Sequence, residues 1–202
     1  MSSNLQLATE NGKSSANEYS AEERRYLLRL AHQSIRASLR GEKLLPLSPS
    51  AHLAEQRGAF TTLHASGKLR GCIGYVIATA PLYQAVIETA ASAAFEDPRF
   101  LPVRDAEAPL LQIEISVLSP MFPISAEDVE VGKHGLLISH HGHRGLLLPQ
   151  VPIEWGWDRE RFLSETCRKA GLPADSWRRG AGIEAFTAEV FGESSPCESL
   201  RD

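Results

Sequence analysis

The chain has 202 residues, 43% of them hydrophobic and 23% charged, with a formal net charge of −4. That is enough apolar material for one domain or two small lobes around a substantial core, and the acidity gives no general argument for nucleic acid as a partner. No apolar run approaches the roughly 20 residues that span a bilayer, Met1 to Asn17 lacks the apolar stretch of a secretory signal, and Cys72, Cys167 and Cys197 form no CxxC pair or disulfide framework, so a soluble cytoplasmic protein is expected.

Residues 1–19 are rich in Ser, Asn, Gly and Glu and read as a tail. Ser20 and Glu23 have the spacing of a capping box, and Leu28, Ala31, Ile35 and Leu39 continue as a helical stripe that Gly41 ends. The arginines of that helix, Arg24, Arg25, Arg29, Arg36 and Arg40, fall largely off the stripe and read as a solvated face. Ala59 to His64 and Leu69 to Val76 are β-like runs joined by Ala65-Ser66-Gly67-Lys68, which suits a hairpin. Pro81 opens a second helix whose face of Leu82, Ala85, Val86, Thr89, Ala90 and Ala93 is small enough to press against the glycine-bearing strand, and Asp97-Pro98 stops it.

From Leu111 the alternation is plain, with Leu111, Ile113, Ile115 and Val117 on one side and Gln112, Glu114 and Ser116 on the other. Shorter strands are predicted at Val129 to Val131, Leu136 to Ser139 and Arg144 to Leu148, with Gly142 at a turn. Asp158 can cap a helix through Ala170 that buries Phe162, Leu163, Thr166 and Cys167, and Gly171 ends it. A last strand is predicted from Ala185 to Phe191, before a tail at 194–202. The pattern is α+β: antiparallel sheet segments with packed helices, in two lobes of one compact unit over 20–193, divided near residue 121 into 20–120 and 121–193.

The stretch Leu69-Arg70-Gly71-Cys72-Ile73-Gly74 carries the strongest chemical signal. Glycine weakens a strand interior, so Gly71 and Gly74 mark a bulge or a place where a ligand or another backbone comes close. Strand alternation puts Arg70, Cys72 and Gly74 on one face, where the guanidinium would favour a Cys72 thiolate. The competing reading is a buried thiol that packs as a small hydrophobe. A cysteine nucleophile also needs a base, and Glu114, on the polar face of its strand, is the carboxylate candidate. His64 is a second candidate, although a histidine beside a turn is more simply solvated. Arg99 reads either as an anion contact or as the charge partner of Asp97 in a turn. Lys169 suits the C-terminal end of a helix dipole. His134, His140, His141 and His143 invite a metal reading, but their spacing supplies no fixed ligand face and no acidic third ligand, so no metal site is assigned.

The hexapeptide 69–74, preceded by Ala59 to Leu63 and followed by Asp97-Pro98-Arg99-Phe100, Ile113 to Leu118, Gly145 to Val151, Lys169 to Leu172 and Trp177, resembles in order the landmarks of the AMMECR domain family. The resemblance covers roughly residues 20–193. It implies an α+β domain of its own type with the Cys72 strand lining a candidate site, a role for Gln150, in its Gly145 to Val151 segment, in orienting a polar ligand, and an association with Memo-type and radical SAM proteins in a shared modification or biosynthetic pathway. It implies no settled reaction. Two functions follow: an enzyme or covalent carrier using Cys72, Arg70 and Glu114, or a non-enzymatic module whose glycine-rich strand contacts a partner or a small ligand. No nucleotide-binding glycine loop, zinc-type cysteine pair or cysteine-rich cluster is present to indicate a cofactor.

Overall fold

The computed structural model describes residues 18–44 and 50–193, so most of the expected N-terminal tail and the C-terminal tail with Cys197 lie outside the described residues. Tyr19, assigned to the tail, belongs to the core instead. It is 1% exposed. Its ring stacks on His52 at 4.8 Å and its hydroxyl accepts from Arg57 Nε at 3.3 Å, so its one polar atom is satisfied on burial.

Helix α1 (Ala21–Leu39) starts at the expected capping box: the Ser20 hydroxyl accepts from Glu23 N–H, and the Glu23 carboxylate accepts from Ser20 N–H. Its buried face runs through Leu27, Leu30, Ala31 and Ile35, with Leu28 and Leu39 at the margin. Strands β1 (Ala59–Ala65) and β2 (Lys68–Tyr75) form a hairpin. Its central residues Ser66 and Gly67 both have positive φ, 51° and 73°, as the twist-matched two-residue turn requires. Helix α2 (Leu82–Phe95) buries the predicted small face. The alanines let it approach so closely that a Cβ on Gly71 would collide with the Ala93 carbonyl oxygen.

Strand β3 (Gln112–Leu118) pairs with β1, and the first sheet has the order β2-β1-β3-β8, with β8 (Ala188–Gly192) at its far edge. The second sheet, β4-β7-β5-β6, contains β4 (Phe122–Pro123), β5 (Gly135–His140), β6 (His143–Leu147) and β7 (Gly182–Phe186). All pairings are antiparallel. A short α3 (Gln150–Glu154) follows β6, and α4 (Arg159–Lys169), capped by Asp158, packs on the second sheet. Two separate cores result. One includes Leu27, Ile35, Leu63, Val86, Ile113 and Ile115 between the first sheet and helices α1 and α2. The other includes Leu136, Ile138, Phe162, Leu163, Cys167 and Ala185 between the second sheet and α4.

Three further sequence expectations are corrected. Val129 to Val131 is not a strand: a 3-10 turn at Ala126–Asp128 leads into it, Val129 drops into the second core, and Lys133 and His134 turn back onto the Glu130 carbonyl. Alternate valines imitate β periodicity there. The single strand predicted over 185–191 is two strands, because the chain leaves the second sheet at Phe186 and enters the first at Ala188. A division at residue 121 therefore assigns β8 to the wrong sheet. The joint between the sheets is tied across the chain: Ser119 N–H donates to the Thr187 carbonyl at 2.9 Å, and Thr187 N–H donates to Ser119 Oγ at 3.0 Å. Among the described residues no helix is long and apolar enough to cross a membrane.

Candidate functional site

The helices cover one face of the first sheet, and strand alternation sends the remaining side chains to the other face. Thr62 stands directly opposite Cys72 on one side and directly opposite Glu114 on the other. These three residues form a row across β2, β1 and β3. In the next row Phe60 lies opposite Gly74 and Ser116, and Ser116 lies opposite Val190. Both rows open into a cavity of about 490 Å³, closed from the other side by Lys133, Leu148, Pro149, Gln150 and Ile153. The structure thus brings together Cys72, Glu114 and Gln150, which the sequence selected separately.

Cys72 is half-buried, and the Thr62 hydroxyl donates to its sulfur at 3.2 Å. The Glu114 carboxylate, the Ser116 hydroxyl and the Gln150 amide make no side-chain hydrogen bond among the described residues. Lys133, the one cation on the wall among the described residues, is held by Glu130 at 2.7 Å.

β2 is an edge strand, so the Cys72 N–H and C=O point away from the sheet. Side chains satisfy both. The Asp97 carboxylate accepts from Cys72 N–H at 2.9 Å, and Arg99 Nη2 donates to the Cys72 carbonyl at 3.3 Å. Asp97 also accepts from the Arg99 backbone N–H, Nε and Nη2. It is both the turn acceptor expected from sequence and a clamp on the cysteine backbone. The Arg99 guanidinium holds the Asp97 carboxyl far below the usual carboxylate range, against the opposing effect of burial and with help from the Cys72 N–H.

Arg70 is directed elsewhere. The β1–β2 register shifts between Leu63 and His64, leaving Arg70 as the extra residue of a bulge, and a bulge re-aims its side chain. The guanidinium forms a two-pronged ion pair with Glu107 at 3.0 and 3.1 Å and donates to the Leu101 carbonyl at 2.8 Å. It shares the Phe100 ring with Arg99, at 5.9 and 5.5 Å from the ring centroid. Arg70 therefore supports the 100–107 loop, and no hydrogen bond joins it to the Cys72 thiol among the described residues. The glycines are also accounted for without a ligand: Gly71 faces α2, and Gly74 is covered by the Phe60 ring, where a Cβ would clash. Arg99 reaches the site through the Cys72 backbone and does not line the cavity.

The His140 and His141 rings lie 3.9 Å apart, but the four histidines do not gather into one site. His140 pairs with His143 across a tight turn at His141 and Gly142, while buried His134 accepts the Glu130 N–H at 3.1 Å, and burial lowers its pKa. Among the described residues no group of three His, Cys, Asp or Glu side chains is positioned to hold a metal ion. His64 and Lys169 do not line the Cys72 cavity, and Cys167 is fully buried, its thiol pKa pushed up by burial. Sequence reasoning missed Thr62. Counting back from the hairpin turn without a bulge places Thr61 opposite Cys72, and only the bulge at Arg70 brings Thr62 into register.

Comparison with known proteins finds similar sequences over most of the chain. A sequence model of the AMMECR1 family matches residues 28–191. A protein of Thermococcus gammatolerans is 43% identical over 190 residues, covering 87% of this chain and 93% of that one. Protein MK0488 of Methanopyrus kandleri is 43% identical over 193 residues, covering 90% and 93%. The crystal structure of the uncharacterized protein PH0010 from Pyrococcus horikoshii is similar with a TM-score of 0.69 and 42% identity, covering 85% of this chain and 92% of that one.

Proposed function

Because this chain belongs to the AMMECR1 family, we propose that its Cys72 cleft carries out a step of a modification or biosynthetic pathway, with Cys72 as nucleophile or covalent carrier. One observation carries this reading: Cys72, Thr62 and Glu114 stand in a single cross-strand row that opens on a cleft of about 490 Å³. The Thr62 hydroxyl, which already donates to the sulfur, stabilises the charge that develops when the thiol loses its proton. Glu114, with no side-chain partner among the described residues, accepts that proton through solvent. Gln150 approaches from the opposite wall to orient a polar group of the substrate. Asp97 and Arg99 act as positioning residues by fixing the backbone of Cys72. The proposal includes Memo-type and radical SAM proteins as pathway partners, which the family resemblance implies, and a cytoplasmic setting, which the lack of an apolar leader in the sequence supports.

A purely binding role for the same cleft is favoured by its apolar surface, to which Phe60, Leu118, Leu148, Ile153 and Val190 contribute. Labelling with chloroacetamide, read peptide by peptide, separates the two. The nucleophile reading expects native Cys72 to react faster near neutral pH than the same residue in urea-unfolded protein, even though it is half-buried. A native Cys72 slower than the unfolded one leaves the cleft as a binding site.

A further inference from the structure

Two residues along the chain, at the ends of β1 and β6, lead from the Cys72 cavity into a second cavity of about 630 Å³. Phe60 lines the first and Gly58 the second; Leu148 lines the first and Leu146 the second; Leu118 lines both. Same-face neighbours on a strand are only about 6.6 Å apart, so the two spaces form one groove between the sheets, passing over Leu118. Each alone has the size of a small-ligand cleft, but together they exceed the upper end of about 1,000 Å³ for such sites.

The chemistry changes along this groove. Around Leu118 it is apolar, with Phe60, Leu146 and Leu148. At the far end Arg57 is already engaged by Glu18 and Glu55, whereas exposed Arg144 has no partner among the described residues. Glu184 lines the same end from β7, also without a partner and without an ion pair to Arg144. An unpaired cation and an unpaired acceptor at one end suit a ligand that supplies both an anionic group and N–H donors. The run from Arg144 to Leu148 spans roughly 13 Å, the reach of about four extended residues.

We propose that the groove receives an extended polypeptide segment of a partner protein, with an acidic side chain at Arg144, Glu184 accepting backbone N–H groups, and the residue to be modified at Cys72. This rests on the Cys72 cleft being the reacting end, and it identifies the substrate class as polypeptide. The arginine end then acts as a remote specificity site, recognising the carboxylate through a two-pronged contact.

The probe is a capped pentapeptide of alternating serine and valine ending in aspartate, together with its reversed sequence and versions carrying lysine for aspartate. Protection of Cys72 from chloroacetamide is measured at about pH 9, above the ordinary thiol pKa of about 8.5, so that the readout does not depend on thiol activation. The aspartate peptide in one of its two directions is expected to protect wild-type Cys72 at millimolar concentration. Protection should weaken about tenfold or more in Arg144→Glu, roughly the worth of one charge-assisted contact, and the lysine peptide should become the better protector. No protection by either aspartate peptide, or equal protection in Arg144→Glu, overturns the proposal. A Cys72 that proves unactivated in the neutral-pH labelling sinks the nucleophile reading without touching this result.

Discussion

The backbone N–H of Cys72 donates to the buried carboxylate of Asp97 at 2.9 Å, although the two residues are 25 positions apart. With Arg99 on the Cys72 carbonyl, the two side chains supply the donor and acceptor that a neighbouring strand would otherwise provide. This blocks the edge of β2 at the cysteine and fixes the height of the thiol above the sheet. Asp97→Ala leaves the Cys72 N–H unpaired and is expected to lower stability by about 2 to 3 kcal/mol. Urea denaturation checks this. A loss within error of zero would mean that water replaces the carboxylate without cost.

The same contact sets a pH dependence. The folded-state pKa of Asp97 is depressed, so in acid the unfolded chain binds a proton that the folded chain refuses. The stability from the ionised carboxylate is complete above the unfolded value of about 3.9 and is lost as pH falls below it toward the folded value. Asp97→Asn lacks this proton linkage. Its stability should therefore change less between about pH 4 and pH 2 than that of the wild type, as followed by thermal unfolding across that range.

Gly71→Ala is expected to destabilise by about 3 kcal/mol or more, because the new methyl meets the Ala93 backbone carbonyl, which cannot rotate away as a side chain would. Thermal unfolding would show it. A variant as stable as the wild type would mean that α2 shifts freely over β2. Loss of partner binding in this variant is consequently a packing effect.

Thr62 and Arg70 should separate cleanly. Thr62→Val removes the hydroxyl that donates to the Cys72 sulfur, and the neutral-pH alkylation rate should fall about tenfold, the equivalent of a charge-assisted bond of roughly 1.4 kcal/mol. Arg70→Gln breaks the pair with Glu107 and should loosen the 100–107 loop, seen as faster amide exchange there, while the alkylation rate changes less than twofold. The opposite ranking would restore Arg70 to the role expected from sequence.

What could be read from sequence divides along local and non-local lines. The capping box at Ser20 and Glu23, the turn at Ser66-Gly67, the small face of α2 and the Asp158 cap depend on residues a few positions apart, and these expectations agree with the structure. Glu114 could be placed on a polar strand face, but its alignment with Cys72 needed the β1–β3 register, which no local pattern encodes. The bulge at Arg70 was hinted at by Gly71, yet its position decided both that Arg70 leaves the site and that Thr62 enters it. The transfer between sheets at Thr187 is invisible for a similar reason. Both halves of 182–192 are extended, and only their partners differ.

The most direct test of the Cys72 cleft is the pH–rate profile of chloroacetamide alkylation at Cys72 in wild-type protein and in Glu114→Gln, with buried Cys167 as the internal comparison. If the carboxylate accepts the thiol proton, the wild type should react faster near neutral pH and the two profiles should meet at high pH, where the thiol ionises without help. Superimposable profiles across the whole range would contradict the account, since Glu114 would then share a cavity with Cys72 but no chemistry.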